Sequence, residues 1–238
     1  ILLSIIIFIL TDILVFLSGE RTAFVLALVF SIFIIIATPN YKLIRLFTLI
    51  FSIALISIIT LKNPQVMDRN ITQTIEQTQI DELLSEEGSN RGIIFFSPQH
   101  HSHIVTSYRM FVERPIFGHG PNSFRLKCYD KKYEYDAMAC STHPHNSYIQ
   151  IISELGIVGL IPILLVIFHF LYKIYFHLFN YKYNSNLRLS DYEIFLISIF
   201  LLTLWPFVPT QNFFNNWINI VYFLPVGFYL HSIYKKKI

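Results

Sequence analysis

The sequence predicts an all-α polytopic membrane protein of about six transmembrane helices with one large exterior loop. Three observations carry that prediction. Hydrophobic residues make up 54% of the 238 positions, and mean hydropathy is +0.53. Charged residues are only 14%, against roughly 25% in soluble domains. Apolar runs near ~20 residues recur, long enough to cross a hydrocarbon core about 30 Å thick. The net charge is a modest +3, and no basic stripe interleaved with aromatics marks a nucleic-acid surface, so no nucleic-acid partner is expected. A glycine-rich nucleotide-binding loop is also lacking. The chain opens on Ile1, with no initiator methionine or signal-peptide start, so an N-terminal part is expected to be missing.

The six apolar segments run over residues 1–17, 22–38, 43–61, 147–178, 192–209 and 214–233. Pro39 stops the second, because a proline cannot continue a helix. The fourth is too long for a simple span. It is expected to enter as an interfacial turn before Pro162, to tilt, or to emerge into water near Lys173. Orientation follows from lysine and arginine in short connections. Lys42 and Arg45, Lys182 and Arg188, and Lys235, Lys236 and Lys237 all fall on one side if there are six crossings. That side is the cytoplasm. The expected organisation is three helices in 1–61, a loop domain over 62–146, and three helices in 147–238.

The loop 62–146 and the turn at 18–21 then lie outside. A polar insertion of that length between membrane helices ordinarily has a job or folds on its own. Its first half is acidic (Asp68, Glu76, Asp81, Glu82, Glu86, Glu87), and its second half is basic, aromatic and rich in histidine. Both cysteines, Cys128 and Cys140, fall here. An oxidising exterior permits a disulfide, which would stabilise by roughly 3 kcal/mol in the chain-entropy model. It would brace 142–146 against the preceding Gly-rich turn, although two free thiols fit the sequence too.

Three stretches carry chemistry. In His143-Pro144-His145-Asn146, proline keeps the chain extended up to the next helix, and Asn146 suits its N-cap. His145 then stands at a helix N-terminus, where free amides favour an anion and a neutral imidazole can take a proton. Asn146, Gln150 and Glu154, spaced by four, share one face. A carboxylate at the depth of Glu154 reads as functional or as an anchor for functional groups.

Arg21 is expected in the first turn of the second span, where a cation opposes the helix dipole. It reads as an anion receptor for a phosphate, or as an arginine reaching lipid headgroups or pairing with Glu20. The third stretch, 100–125, holds His100, His101 and His103, then Gly118-His119-Gly120-Pro121, which signals a tight turn. Arg91, Arg109, Arg114 and Arg125 add positive charge. The histidines do not follow a zinc-ligand spacing, so neither metal nor cofactor is expected.

These residues resemble the bacterial O-antigen ligase and O-antigen polymerase family of membrane glycosyltransferases. "SGERTAF" is similar to its arginine at the outer end of a helix, and "RPIFGHGPNSF" to its Pro-hydrophobic-Gly-x-Gly turn. "HNSYIQIISELGIVG" matches its His-Asn, nine residues, Gly, two residues, Gly signature at His145, Asn146, Gly156 and Gly159. The likeness runs from the "SGERT" turn to "FFNNW" near residue 217, and family members are longer.

The resemblance implies a bacterial inner-membrane enzyme whose loop domain and active site face the periplasm. Its donor would be a glycan on undecaprenyl pyrophosphate, and its acceptor a sugar hydroxyl on the lipid A core or another glycan. Transfer would be inverting and metal-independent. It further implies that Arg21 holds the pyrophosphate, while His145 serves as general base or pyrophosphate contact. His143, Asn146 and Glu154 would serve substrate binding. The family often carries a second arginine upstream of the Gly turn. The corresponding position here is Gln99, so Arg91, Arg109, Arg125 or His103 is expected to replace it, Arg125 first. Within the family, a polymerase fits the same motifs as a ligase. A transporter of a lipid-linked anion is the rival from another class, but its binding groups would sit near the bilayer midplane. A metal sensor built on the histidine-rich loop is a third reading.

Overall fold

The structure is a computed structural model, and it describes residues 1–75, 97–179 and 188–237. The acidic stretch 76–87, Arg91 and Lys182 lie outside the described residues. Every regular element among the described residues is helical. The chain divides into two compact units, Ile1–Gly92 and Ile93–Ile238.

The first unit holds α1 (Leu2–Leu17), α2 (Arg21–Ala37), α3 (Lys42–Lys62), the short α4 (Pro64–Met67) and a π-helical turn, Asp68–Thr72. Gly19, at φ +76°, ends α1, because the left-handed region is open to glycine at no steric cost. Thr38 is extended ahead of Pro39 and closes α2, as crowding by a proline ring requires. Asn63 caps α4 by accepting from the Gln65 and Val66 amides, with Pro64 in the first helical position.

This unit leaves much of its large apolar surface exposed. On α3 the buried positions are Leu49, Ser52, Ile56 and Thr60, one helical face, while Phe47, Phe51 and Leu61 point outward. Asp12 is the only buried residue of α1, and the Ser52 hydroxyl donates to its carboxylate. Polar and small groups such as Asp12, Ser52, Thr60 and Ala37 are buried alongside Ile34, Leu49 and Ile56 while many large apolar groups point outward, an arrangement that suits lipid; in water such a surface would drive aggregation.

The second unit holds α5 (Pro98–Glu113), α6 (Phe124–Lys127), α7 (Ser147–Phe179), α8 (Asp191–Thr203) and α9 (Asn216–Lys237). Ser97 caps α5 by accepting from the His100 amide. Ser190 and Glu193 form a reciprocal capping box at α8. Phe170 of α7 meets Phe200 of α8 and Tyr229 of α9 edge-to-face, each at 5.1 Å between ring centres, a favoured aromatic geometry. Under the loop, Met110, Phe124, Cys128 and Tyr133 form a small core with Cys140 against it. The disulfide Cys128–Cys140 is formed, with Cα atoms 5.2 Å apart.

Among the described residues, two helices, α3 and α7, are long and apolar enough to cross a membrane, fewer than the six expected. α1 and α2 are apolar but span only 16 and 17 residues. The fourth segment is interrupted ahead of Pro162, at Gly156 (φ +66°, ψ −163°). Beyond it, residues 157–179 still reach about 34 Å at 1.5 Å per residue.

The fifth segment was expected to run to 209, but α8 stops at Thr203 and residues 204–215 are irregular. Pro206 and Pro209 explain this: each lacks an amide donor and pushes the residue before it out of the helical region. The irregular stretch packs its polar backbone against the start of α7, where the candidate site lies.

Candidate functional site

Asn146 begins α7. Its Oδ1 accepts from the Tyr148 and Ile149 amides at 3.0 and 3.1 Å, the cap that sequence predicts. Its Nδ2 donates to the Pro206 and Val208 carbonyls at 2.9 and 3.3 Å. One side chain thus starts a helix and satisfies two carbonyls of the non-helical 204–215 stretch. The neighbouring contacts repeat the theme. The Thr210 amide donates to the His145 carbonyl at 2.8 Å, Ser147 and Thr210 share a hydroxyl bond of 2.8 Å, and the Phe213 amide donates to Gln150 Oε1 at 2.8 Å. Irregular backbone at such a place is tolerable only when protein groups satisfy it. Because Asn146 already occupies two of the first-turn amides, the helix start offers an anion fewer donors than the sequence suggests.

Further along the same face, Glu154 is 1% exposed. Its two carboxylate oxygens accept from the Asn122 amide at 2.7 Å and the Phe124 amide at 2.9 Å. Gln150 reaches it at 3.4 Å and donates to Asn212 Oδ1 at 2.8 Å. The carboxylate therefore anchors the turn that leads into α6.

The Gly turn and the Gly156 break lock together through backbone alone. His119 and Gly120 amides donate to the Ser153 and Glu154 carbonyls at 3.2 and 2.7 Å. The Ile157 and Val158 amides donate to the Pro115 and Ile116 carbonyls at 2.9 and 3.2 Å. A helix break frees such groups, and buried ones must find partners. No side chain fits at either glycine: a Cβ on Gly118 would lie 2.4 Å from the Glu154 carbonyl carbon, and one on Gly156 2.3 Å from the Ile116 oxygen.

This clasp and the cap position four imidazoles. The His145 ring lies 4.1 Å from that of His143, 5.4 Å from His103 in a stacked arrangement, and 5.6 Å from His100. His145 is half-buried, at φ +56°, and no described residue is hydrogen-bonded to its ring. His143 Nε2 meets the Thr210 carbonyl at 3.3 Å, and its Nδ1 lies 2.9 Å from the Thr142 hydroxyl. A carbonyl can only accept, so Nε2 carries the proton and Nδ1 accepts from Thr142. His103 is fully buried, with both ring nitrogens lacking hydrogen-bond partners.

Burial lowers the pKa of His100, His103 and His143 from the ordinary histidine value. That of His145 is pushed down to about 4, first by burial and then by repulsion from His143, His103 and His100. At neutral pH the ring is an uncharged base open to a ligand. Among the described residues, no group of three or more His, Cys, Asp or Glu could hold a metal ion.

Within the second unit the cations are engaged elsewhere or exposed. Arg125 is exposed on α6. Arg109 is engaged within the loop, donating to the Glu134 carbonyl at 2.6 Å and lying 5.4 Å over the Tyr135 ring. Lys132 pairs with Glu113 at 2.8 Å; that lysine and the Tyr133 hydroxyl hold the Glu113 carboxyl at about 2. Arg21 stands in the first unit, at the start of α2, where its Nη2 donates to Gln73 Oε1 at 3.4 Å.

Sequence reasoning missed Thr210 and Asn212, which fall in the short connection between its fifth and sixth segments; Pro206 and Pro209 were the available signal for a longer irregular stretch. It drew His100, His101 and His103 with His143 and His145 only as a zinc site and set that aside on spacing; the structure brings His100, His103 and His143 beside His145.

Comparison with known proteins places the chain in a family. A family model described as O-antigen ligase matches residues 5–164. No curated protein and no solved structure matches the chain.

Proposed function

Because this chain belongs to the O-antigen ligase family, we propose that it transfers a glycan from undecaprenyl pyrophosphate to a sugar hydroxyl on the lipid A core. The family is membrane-integral and implies a lipid-linked glycan substrate with ligase- or polymerase-like function. The finer reading is an inner-membrane protein that crosses six times, with lysine-rich ends in the cytoplasm and the 62–146 loop in the periplasm.

The observation that carries the reading is His145: a neutral, half-buried imidazole at the start of α7, free of hydrogen bonds from described residues. In the reaction the acceptor oxygen attacks the sugar C1 as the C1–O bond to the diphosphate breaks, inverting the centre. His145 takes the proton of the acceptor hydroxyl, as suits a positioned base. Arg21 offsets the charge growing on the departing diphosphate, an effect strongest in a partly dry site. Asn146 and Glu154 act on His145 through the backbone they hold, and His143 and His103 border the acceptor. Arg125 offers charge at the rim. No metal or cofactor takes part in this scheme.

Arg21→Ala and His145→Ala test it in cells. Each is expected to lower transfer by about 10²–10³ or more, with the protein still inserted. A lipopolysaccharide gel then shows bare core with polymer stranded on the carrier; a core bearing a single repeat would instead identify a polymerase. Normal surface glycan in both variants would refute the assignment.

A further inference from the structure

The Gly turn carries two large apolar side chains at its tip, Ile116 at 58% exposure and Phe117 at 73%. Side by side in water, such a pair adds to a patch of the kind that marks a contact. The turn lies against α7. The Pro115 and Ile116 carbonyls accept from the Ile157 and Val158 amides at 2.9 and 3.2 Å, which sets the pair beside the first residues of α7 past its break. There Ile157, Val158 and Ile161 are exposed as well, so the apolar outer surface of the helix continues onto the turn. Residues 157–179 reach about 34 Å, close to a hydrocarbon thickness of about 30 Å. Ile157 and Val158 therefore stand at the loop-side edge of the hydrocarbon. Non-helical backbone is tolerated at that level only where its polar groups are satisfied. The turn meets that condition on its approach to the tip: the Arg114 carbonyl accepts from the Gly118 amide at 3.0 Å, and the next two carbonyls are bonded to α7. Pro115 brings no amide. Arg114, just before the tip, is exposed, as suits a cation reaching headgroups beside an apolar residue.

We infer that Ile116 and Phe117 form a membrane anchor, a re-entrant tip of the loop that inserts among the lipid chains of the loop-side leaflet next to α7. The partner is bilayer lipid rather than a second copy of the chain, because the tip continues a helix surface that suits lipid and sits level with its end. The loop between α3 and α7 is then not wholly outside the membrane. The inference needs α7 to cross the bilayer, in keeping with a membrane-integral family, and does not depend on which reaction the protein catalyses. It has a consequence for the imidazole cluster. The His119 and Gly120 amides of the same turn hold the Ser153 and Glu154 carbonyls, so a tip fixed in lipid also fixes the start of α7. His145 is thereby kept close to the bilayer surface, where a lipid-linked substrate presents its head.

Because Cys128 and Cys140 are bridged, a nitroxide spin label on the full chain attaches only at an introduced cysteine. Phe117→Cys and, as a second position, Ile116→Cys are labelled and placed in phosphatidylcholine liposomes. Ile161→Cys serves as the reference for hydrocarbon and Lys131→Cys as the reference for water. Collision rates are compared for oxygen, which concentrates in hydrocarbon, and for a water-soluble nickel chelate. The anchor predicts that labels at positions 116 and 117 favour oxygen, as at position 161, while the label at position 131 favours the chelate. A label at position 117 that meets the chelate as freely as the one at 131 overturns the proposal. So does a label shielded from both reagents, since that marks a protein contact in place of lipid. A label at position 161 that favours the chelate removes the crossing by α7, and the anchor with it. Glycan transfer is read in none of these measurements, so failure of the anchor and failure of the proposed reaction are separate outcomes.

Discussion

His145 holds its backbone at φ +56°, a region uncommon for a side chain of its size. The Thr210 amide, bonded to its carbonyl at 2.8 Å, helps keep it there. Asparagine tolerates the same backbone, so His145→Asn should match the parent in thermal unfolding yet lose transfer. That outcome separates the chemistry of the ring from the shape of the turn. The depressed pKa gives a pH signature. Above about 6.5 the ring is neutral in folded and unfolded chains alike. Between there and about 4 only the unfolded chain gains the proton, so stability falls as pH drops through that window and levels below it. The acid limb of kcat/KM, which reports the free enzyme, should lie near 4 rather than 6.5. A limb at 6.5 would mean that the base is another group.

At the scale of elements, the two glycine-bearing motifs are two halves of one clasp. Gly118 and Gly156 each combine a positive φ with a backbone closer than any Cβ allows. Alanine at either is expected to cost at least about 2 kcal/mol, read as a lowered unfolding midpoint in detergent. Gly227, in α9, has open space around it and an ordinary φ. Gly227→Ala should therefore be neutral or stabilising by up to about 1 kcal/mol, which makes it the control. Asn146→Ala should exceed the usual capping loss of about 1 kcal/mol, because it also strands the Pro206 and Val208 carbonyls. A loss no larger than a simple cap would mean that water replaces those bonds.

For the whole molecule, a periplasmic loop and a cytoplasmic C-terminus are the testable consequences of six crossings. Alkaline phosphatase inserted after Lys131 should be active, and a fluorescent protein fused after Ile238 should fluoresce. The reverse pattern would sink the proposed topology. The Cys128–Cys140 bridge should contribute about 3 kcal/mol, measured as the unfolding shift on reduction. By itself the sequence determined the helical, membrane-suited character and the N-cap at Asn146; it allowed the Cys128–Cys140 bridge and a break before Pro162 among alternatives, and the structure chose them. The features it determined follow from composition, local period and residue-specific backbone limits. Only the tertiary structure decided that His100 and His103 border His145, that Glu154 serves backbone amides, and that the Gly turn meets the break in α7. Helical period assigns a residue to a face but does not say which distant face meets it. Contacts made through bare backbone leave no trace in the sequence beyond the glycine that permits them.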